Sequence, residues 1–460
     1  TFEDGNIFLS YIVNDLIITR KLLNEIHSEL ELRQALSDTY GLDLRSKGDA
    51  QIAETVLLQE SGGNKAALRK TAQHQLQTLD HVVVDPPSWW RQLPIAQYHQ
   101  LQEVVDKANT IFGRPIPMTP GLRLSSSSLS DTFYFGDKYY SLGVGGLHSV
   151  DGAGAYIPKV DELLVDIDVA SYYPNIMLTQ GLGPRHWGAA FQTVFRSIVE
   201  RRLDAKRNGR KTEADVLKIV VNSTYGKTAD IWSPLCDPQV TAGVTVTGQI
   251  ALLVLIAMLE TKGIRTVSAN TDGITAVLPL DKESLLRQVV TEWERLTSLN
   301  MEYTPYKKLL QLDVNNYIAV KDNNTLKTKG RFSAPPIGEY DLRHTPQYNI
   351  VALALQRYFQ HNVPFESTIL GCEDINQFLF TQQVAGDWTT SWKDVPLGKN
   401  LRWYKSISPR AASIYRHSGP TAKGNEGVVQ NGEQAIPVDV LPRKLPKDIN
   451  YVWYIQKTYE

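Results

Sequence analysis

The chain has 460 residues, with 48 Lys and Arg set against 49 Asp and Glu, a formal charge of −1 and two cysteines. A near-neutral chain is not a uniformly basic nucleic-acid-binding protein, so any surface for a polyanion has to come from local clustering of charge. Two cysteines are too few for a disulfide framework or a thiolate zinc site, and they fit a reducing cytoplasm.

The length suits about three or four ordinary domains. The chain begins at Thr1 without Met and stops at Glu460, and both ends read as cut. Residues 6–60 read as helices, with Ile7, Tyr11, Leu16 and Leu22 in one broken apolar stripe and residues 50–58 in another. Pro86 and Pro87, then Pro115, Pro117 and Pro120, then the serines at 125–128, punctuate a poorly periodic stretch that ends before Tyr140. A domain boundary is expected there. Residues 162–169 alternate, Leu163, Val165 and Ile167 on one face and Leu164, Asp166 and Asp168 on the other, which predicts a half-buried strand. A turn through Ser171 and Pro174 follows it.

Between Arg185 and Lys227 stand ten Lys and Arg and four Asp and Glu, a local charge of 10 − 4 = +6. Phe191, Val194, Phe195, Ile198 and Val199 follow helical spacing, Asn208-Gly209 is a stop, and Thr212 with Asp215 resembles a capping box, so a helical hairpin is expected. Arg202 and Lys206 lie one turn apart on its first helix, and Lys218, Asn222 and Tyr225 share one face of its second. The longest apolar run, residues 250–259, is about half a membrane span and reads as a buried helix; no signal-peptide pattern is present. Residues 266–270 and 274–277 are β-type runs joined by Asn270-Thr271-Asp272-Gly273, whose Asn and Gly suit a type I turn. Residues 315–320 and 327–330 read as another hairpin, with a helix near 351–360, and no internal repeat is found.

Three ordered segments carry the strongest signal: DVASYYP at 168–174, KIVVNSTYG at 218–226 and SANTDG at 268–273. Together they resemble the D-x-x-S-L-Y-P, K-x-x-x-N-S-x-Y-G and Y-x-D-T-D-S motifs of family B DNA polymerases. Tyr172 replaces Leu in the first, and Asn270 and Gly273 stand where the third usually has Asp and Ser. The resemblance is closest to the small phage enzymes and runs from Tyr11 to Tyr451.

It implies an α+β fold with the family's right-hand architecture of palm, short helical-hairpin fingers and thumb. The chain then divides into a helical C-terminal remnant of the exonuclease domain (1–70), a linker and pre-palm region (71–160), a first palm segment (161–184), fingers (185–226), a second palm segment (227–310), and thumb with the C-terminal region (311–460). The implied activity is template-directed addition of dNTPs to a primer 3′-OH in phage DNA replication, by two-metal phosphoryl transfer with two Mg²⁺ ions or Mn²⁺. The implied partners are primer–template DNA and dNTPs, for a monomer in the host cytoplasm with no membrane association. The short intervals between the motifs leave no room for a further subdomain, which implies an ordinary annealed primer, no terminal protein and limited strand displacement.

By the same resemblance Asp168 and Asp272 would be the catalytic carboxylates, joined as metal ligands by the Val169 carbonyl. Arg202, Lys218 and Asn222, with Ser171, Tyr172 and Tyr173, would hold the incoming nucleotide, Lys206 being a weaker third cation. Tyr173 would lie under the sugar and block a 2′-OH. Tyr225 and Gly226 would meet the DNA, or Tyr225 is a helix-core tyrosine. Gly145 and Gly146, in a segment similar to the family's Y-x-G-G/A linker, would admit a DNA phosphate, or serve a bulged strand. Tyr317, Lys327 and Lys329 resemble the thumb element that tracks the primer, or form a solvated hairpin face. Asp166 reads as solvated or accessory. Tyr11 and Asp15 resemble the exonuclease Y-x-x-x-D motif, whose partner motifs would lie upstream, so no proofreading is expected of these residues alone. The rival reading, prompted by Asn270, is a DNA-binding replication protein with a weakened active site; a ribonucleotide-tolerant priming enzyme is opposed by Tyr173.

Overall fold

A computed structural model of the chain describes residues 2–119, 131–338, 347–386, 388–418, 426–442 and 444–460. Pro120 and the serines at 125–128, which belong to the expected domain boundary, lie outside the described residues. The chain forms two compact units, one of residues 1–150 and 166–303, the other of residues 151–165 and 304–460.

The first unit opens with helices α1 (Phe2–Glu25), α2 (His27–Tyr40), α3 (Asp49–Ser61) and α4 (Lys65–Gln77). Strands β1 (His81–Val83) and β2 (Pro115–Pro117) pair antiparallel and bracket α5 (Leu101–Ile111). The sequence pattern did not mark α5, although it buries Leu101, Val104, Ala108 and Ile111 at helical spacing. One apolar stripe of three turns is easily lost between clusters of proline. After β3 (Asp131–Phe135), β4 (Lys138–Leu142) and β5 (Leu147–Ser149), the chain forms β6 (Gly154–Tyr156) in the second unit and then β7 (Glu162–Val169). Next come α6 (Tyr172–Thr179), α7 (Ala189–Arg207), α8 (Lys211–Thr228), α9 (Pro238–Thr261), β8 (Arg265–Thr271), β9 (Gly273–Pro279) and α10 (Glu283–Thr297). The sheet of this unit runs in the order β7-β9-β8-β5-β4-β3.

Helix α9 is the centre of this core. Asp237 caps it by accepting from the Gln239 N–H (3.1 Å), Pro238 occupies its first turn, and the same carboxylate takes the Arg185 guanidinium at 2.9 and 3.0 Å. It is long and apolar enough to cross a membrane by length and composition, but it is buried throughout inside the unit. The run expected to be a buried helix is therefore the second half of a longer one. Strand β7 departs from its expectation of half burial: Leu164, Val165, Asp166 and Ile167 are all buried, so both faces are covered. The alternation was produced by two aspartates rather than by solvent.

Helices α7 and α8 form the expected hairpin, turning at Asn208 and at Gly209 with φ +67°. The start of α8 differs from the capping-box expectation. Helix α8 begins at Lys211 behind Arg210, which makes no side-chain cap; the Arg210 guanidinium instead bonds Glu213 (2.6 Å) and Asp204. Helices α2 and α3 pack against α8, and Arg201 on α7 reaches Glu60 at 2.5 Å and the Tyr40 hydroxyl at 3.3 Å.

The second unit contains the antiparallel strands β10 (Met301–Asp313), β11 (Asn316–Lys321) and β12 (Leu326–Lys329), with β6 pairing residues 309–311 of β10. Helices α11 (Asn349–His361) and α12 (Phe365–Leu370) follow, then β13 (Phe380–Gln383), β14 (Thr389–Trp392), β15 (Val395–Leu397), β16 (Asn400–Lys405), β17 (Ile414–His417), β18 (Glu426–Val428), β19 (Ala435–Pro437) and α13 (Tyr451–Tyr459). These strands make two small sheets, β13-β16-β19 and β15-β14-β17-β18. Phe378, Phe380, Trp403 and Tyr454 fill its core. Lys405, 2% exposed, is tolerated there because its ammonium donates to the Glu433 carbonyl at 2.6 Å and stands 5.0 Å from the Trp453 ring.

Candidate active site

The site is assembled where β7 ends beside the β8–β9 hairpin. The Val169 N–H donates to the Asp272 carbonyl at 2.7 Å, tying the end of β7 to the hairpin tip. A side-chain carbon built at Gly273 would overlap the Asp168 carboxylate and stand 3.0 Å from the Ile167 carbonyl. Asp168 therefore lies over the residue that follows Asp272. Asp272 is exposed and Asp168 half-buried, so both are open to an ion or substrate.

The hairpin turn is not the expected type I. Asn270 and Gly273 are cross-strand partners, which leaves a two-residue loop, and Thr271 in that loop has φ +58°. Two-residue loops favour turns with positive φ because their twist matches that of the strands. A β-branched residue there is costly, on the order of 1–3 kcal/mol, and such strain persists only where the surroundings enforce it. The Asp272 N–H donates to the Asn270 carbonyl (2.7 Å), and the Asn270 Oδ1 accepts from the Thr271 hydroxyl (3.2 Å). Asp166 is also corrected: it is 7% exposed and accepts from the Thr275 hydroxyl at 2.9 Å, so it is a buried brace between β7 and β9 rather than a solvated group.

Arg202, Tyr172, Tyr173 and Tyr225 converge on the same end. Ser171 starts α6 with φ +48°, and its hydroxyl accepts from Arg202 Nη1 at 2.8 Å, which joins α7 to the first motif. Burial works against the Arg202 charge, while Asp215 and Glu302 favour it. The Tyr173 ring lies 4.4 Å from that of Tyr225 and 5.7 Å from that of Tyr172. Its phenol is pushed up by burial, then by Tyr225 and by the charge of Asp272, so it stays protonated. Tyr225 is tethered through its hydroxyl to Thr245 at 2.6 Å, which makes it a packed helix residue whose ring edge also borders Tyr173. The Tyr172 side chain is buried and donates to the Gly248 carbonyl, so only its backbone is left for a nucleotide.

Among the ten cations of the basic segment, ion pairs take up Arg185, Arg201, Lys206, Arg210 and Lys227. Arg196, Arg202, Arg207, Lys211 and Lys218 have no ion-pair partner among the described residues, and both proposed phosphate ligands are in this group. Lys218 and Asn222 are exposed on one stripe of α8, with Gly226 exposed further along it. Lys206 is partly spent on Glu302 at 3.7 Å.

Of the two linker glycines, Gly145 is exposed and Gly146 is buried against the hairpin tip. Gln249 on α9, which the sequence did not single out, holds this loop: it accepts from the Gly143 N–H and donates to the Gly143 carbonyl, both at 2.8 Å, and to the Gly145 carbonyl at 3.2 Å. An interaction across more than a hundred residues leaves no local signal in sequence. In the second unit Tyr317 pairs with Lys329 and Ala319 with Lys327, so Tyr317, Lys327 and Lys329 share one face of the β11–β12 hairpin. Tyr11 and Asp15 are exposed, one turn apart on α1. A cavity of about 950 Å³ lies in the second unit, lined by Gln311, Tyr348 and Trp403 among others, and contains neither candidate carboxylate.

No family model matches this chain, and no curated protein matches it. Among solved structures it is similar to the family B DNA polymerase of the hyperthermophilic archaeon Pyrobaculum calidifontis, at 12% identity and a TM-score of 0.47. The alignment covers 98% of this chain and 55% of that one, so this chain spans about half the length of the archaeal enzyme.

Proposed function

We propose that the chain is a template-directed DNA polymerase that extends a primer 3′-OH with dNTPs. The observation that carries the reading is the meeting of Asp168 and Asp272 at one strand end, with Val169 bonded to the hairpin tip and a phenol row alongside. The donor set suits Mg²⁺: two carboxylates and the Val169 carbonyl are all hard oxygens. No group of three or more His, Cys, Asp or Glu side chains forms a metal cage among the described residues. Mg²⁺ needs only one or two carboxylates, because it keeps waters and substrate phosphates as ligands. Asp168, Asp272 and the Val169 carbonyl would hold it, and a bound pair of such ions neutralises charge on the attacking and leaving oxygens.

The chain's own groups account for the remaining requirements. Arg202, oriented by Ser171, and Lys218 bind the triphosphate, each charge-assisted bond being worth about 1.5–3 kcal/mol. The Tyr173 ring lies beneath the sugar and leaves no space for a 2′-OH. Sequence information comes from base pairing, so Tyr317, Lys327 and Lys329 need only reach phosphates. An annealed primer, a monomeric state and a role in phage replication in the host cytoplasm belong to the same proposal. Asn270 favours a second reading, a replication protein that binds DNA with a weakened site.

Primer extension with Mg²⁺ and dNTPs separates the two. The wild-type chain is expected to extend, Asp168→Asn or Asp272→Asn to lower the rate by on the order of 10³-fold or more with folding intact, and Asn270→Asp to retain it. Near-normal extension by Asp272→Asn would remove the metal-site assignment; a wild-type chain that binds primer–template but extends it with neither Mg²⁺ nor Mn²⁺ favours the second reading. The same assay with ribonucleotides reads Tyr173.

A further inference from the structure

We propose that Gly146 is a positioning residue for Asp272: its bare Cα lets β5 press on Thr271 and hold the hairpin tip in the one conformation that sets Asp272 beside Asp168. The inference rests on the polymerase reading only in naming what the carboxylate pair is for.

The geometry links one close approach to the next. A side-chain carbon built at Gly146 would stand 2.5 Å from the Thr271 Cα and 2.7 Å from its Cβ and Cγ2. The nearest of these atoms is backbone, so no rotamer change makes room. Strand β5 reaches the hairpin through Leu147 opposite Thr271 and His148 opposite Asn270, the Ser149 hydroxyl accepts from the Ala269 N–H (2.8 Å) and donates to its carbonyl (3.3 Å), and the Thr271 hydroxyl is 3.5 Å from His148 Nε2. The glycine cannot simply retreat, because the loop before it is clamped to α9 by Gln249, which is 2% exposed. Thr271, a residue type that avoids positive φ, is thus wedged at +58° from outside, and the next residue is Asp272. A side chain at position 146 has to push the tip away. On the opposite side the Asp168 carboxylate occupies the space that the missing side chain of Gly273 leaves.

The test compares wild type, Gly146→Ala, Gln249→Ala and the double variant Gly146→Ala/Thr271→Gly. Three measurements are made on each: thermal melting, Mn²⁺ affinity by electron paramagnetic resonance with Mn²⁺ alone, and the Mg²⁺ concentration for half-maximal primer extension. Gly146→Ala is expected to melt within a few degrees of wild type, to bind Mn²⁺ about tenfold more weakly and to need several-fold more Mg²⁺. Gln249→Ala should shift the same two readouts more mildly, and the double variant should recover some of the loss, since Gly at 271 removes two of the three crowding atoms. Wild-type Mn²⁺ affinity and Mg²⁺ dependence in Gly146→Ala would overturn the proposal, as would slower extension with both readouts unchanged or abolished extension with wild-type Mn²⁺ affinity, which are the marks of a merely structural glycine. A wild-type chain that fails to extend DNA sinks the polymerase reading and leaves this one standing so long as the Mn²⁺ affinities of wild type and Gly146→Ala differ; equal affinities overturn it there too.

Discussion

Two hairpins of this molecule solve the same geometric problem with opposite means. The loop joining β11 and β12 puts Asn324 at φ +64°, and its neighbours close it: the Lys321 N–H reaches Thr325 (2.9 Å), the Asn324 N–H reaches Lys321 (2.8 Å), and Asn323 Oδ1 accepts from the Thr325 N–H (3.1 Å) and hydroxyl (2.7 Å). Asparagine tolerates that conformation, so its φ needs no enforcement; Gln360 on α11 adds a tether, donating to the Asn324 carbonyl (2.6 Å) and accepting from the Asn324 amide at its own carbonyl (3.4 Å). The β8–β9 loop instead puts Thr271 at φ +58° and relies on close approach by Gly146 on one side and by Asp168 at Gly273 on the other. Strain enforced by surroundings is the expected condition of a functional turn, and here it sits next to an exposed carboxylate.

Adding atoms at the enforced hairpin should have the largest effect. Gly273→Ser restores the residue usual in the third motif, yet its side chain would strike the Asp168 carboxylate. Primer extension is expected to fall on the order of 100-fold, the usual cost of a misplacement near 1 Å, with DNA affinity unchanged. Asn324→Gly, a change at the positive-φ position of the β11–β12 loop, should leave the rate alone. A Gly273→Ser enzyme at wild-type rate would mean that Asp168 does not need its present position.

The second hairpin should matter through its face rather than its tip. With Lys327 and Lys329 on the face shared with Tyr317, changing both to Ala should weaken primer–template binding. The slope of log affinity against log salt should drop by about 0.9 for each phosphate that is no longer neutralised, while the rate at saturating DNA stays as it was. An unaltered salt slope in a filter-binding titration would make the face merely solvated.

What was legible in the sequence follows the same division. The α7–α8 hairpin was legible because its apolar spacing has the helical period and Asn208-Gly209 breaks it. The common stripe of Lys218, Asn222 and Tyr225 follows from spacing alone. Strands β8 and β9, and the aspartates at the ends of β7 and of their hairpin, were legible from alternation and turn residues. The turn type was not, because Thr is no former of positive φ and only Gly146, far away in the chain, explains it. Nor was the burial of Asp166, since a charged residue in an alternating run reads as a solvent face until Thr275 is seen donating to it. Gln249 was hidden in the apolar sequence of α9, where a polar residue has meaning only once the Gly143 loop lies against it.

The smallest expected effect tests the energetic basis of the comparison directly. Thr271→Asn gives the enforced loop the residue type found in the β11–β12 loop, and Asn324→Thr makes the reverse change. If backbone strain dominates, the first should stabilise the folded chain by about 1 kcal/mol and the second should destabilise it by about the same amount, read as opposite shifts of the thermal midpoint. The signs are the informative outcome, because both changes occur in exposed or half-exposed loops where the loss of packing is minor. The Thr271 methyl, 2.7 Å from where a Gly146 side chain would start, has packing to lose, and the Asn324 amide has its bond to the Gln360 carbonyl (3.4 Å). Should Thr271→Asn lower the midpoint, that methyl contributes more than the backbone strain costs. The lock on Asp272 would then be a matter of packing, and Thr271→Val, which keeps the methyl and drops the hydroxyl, should hold the midpoint where Asn does not.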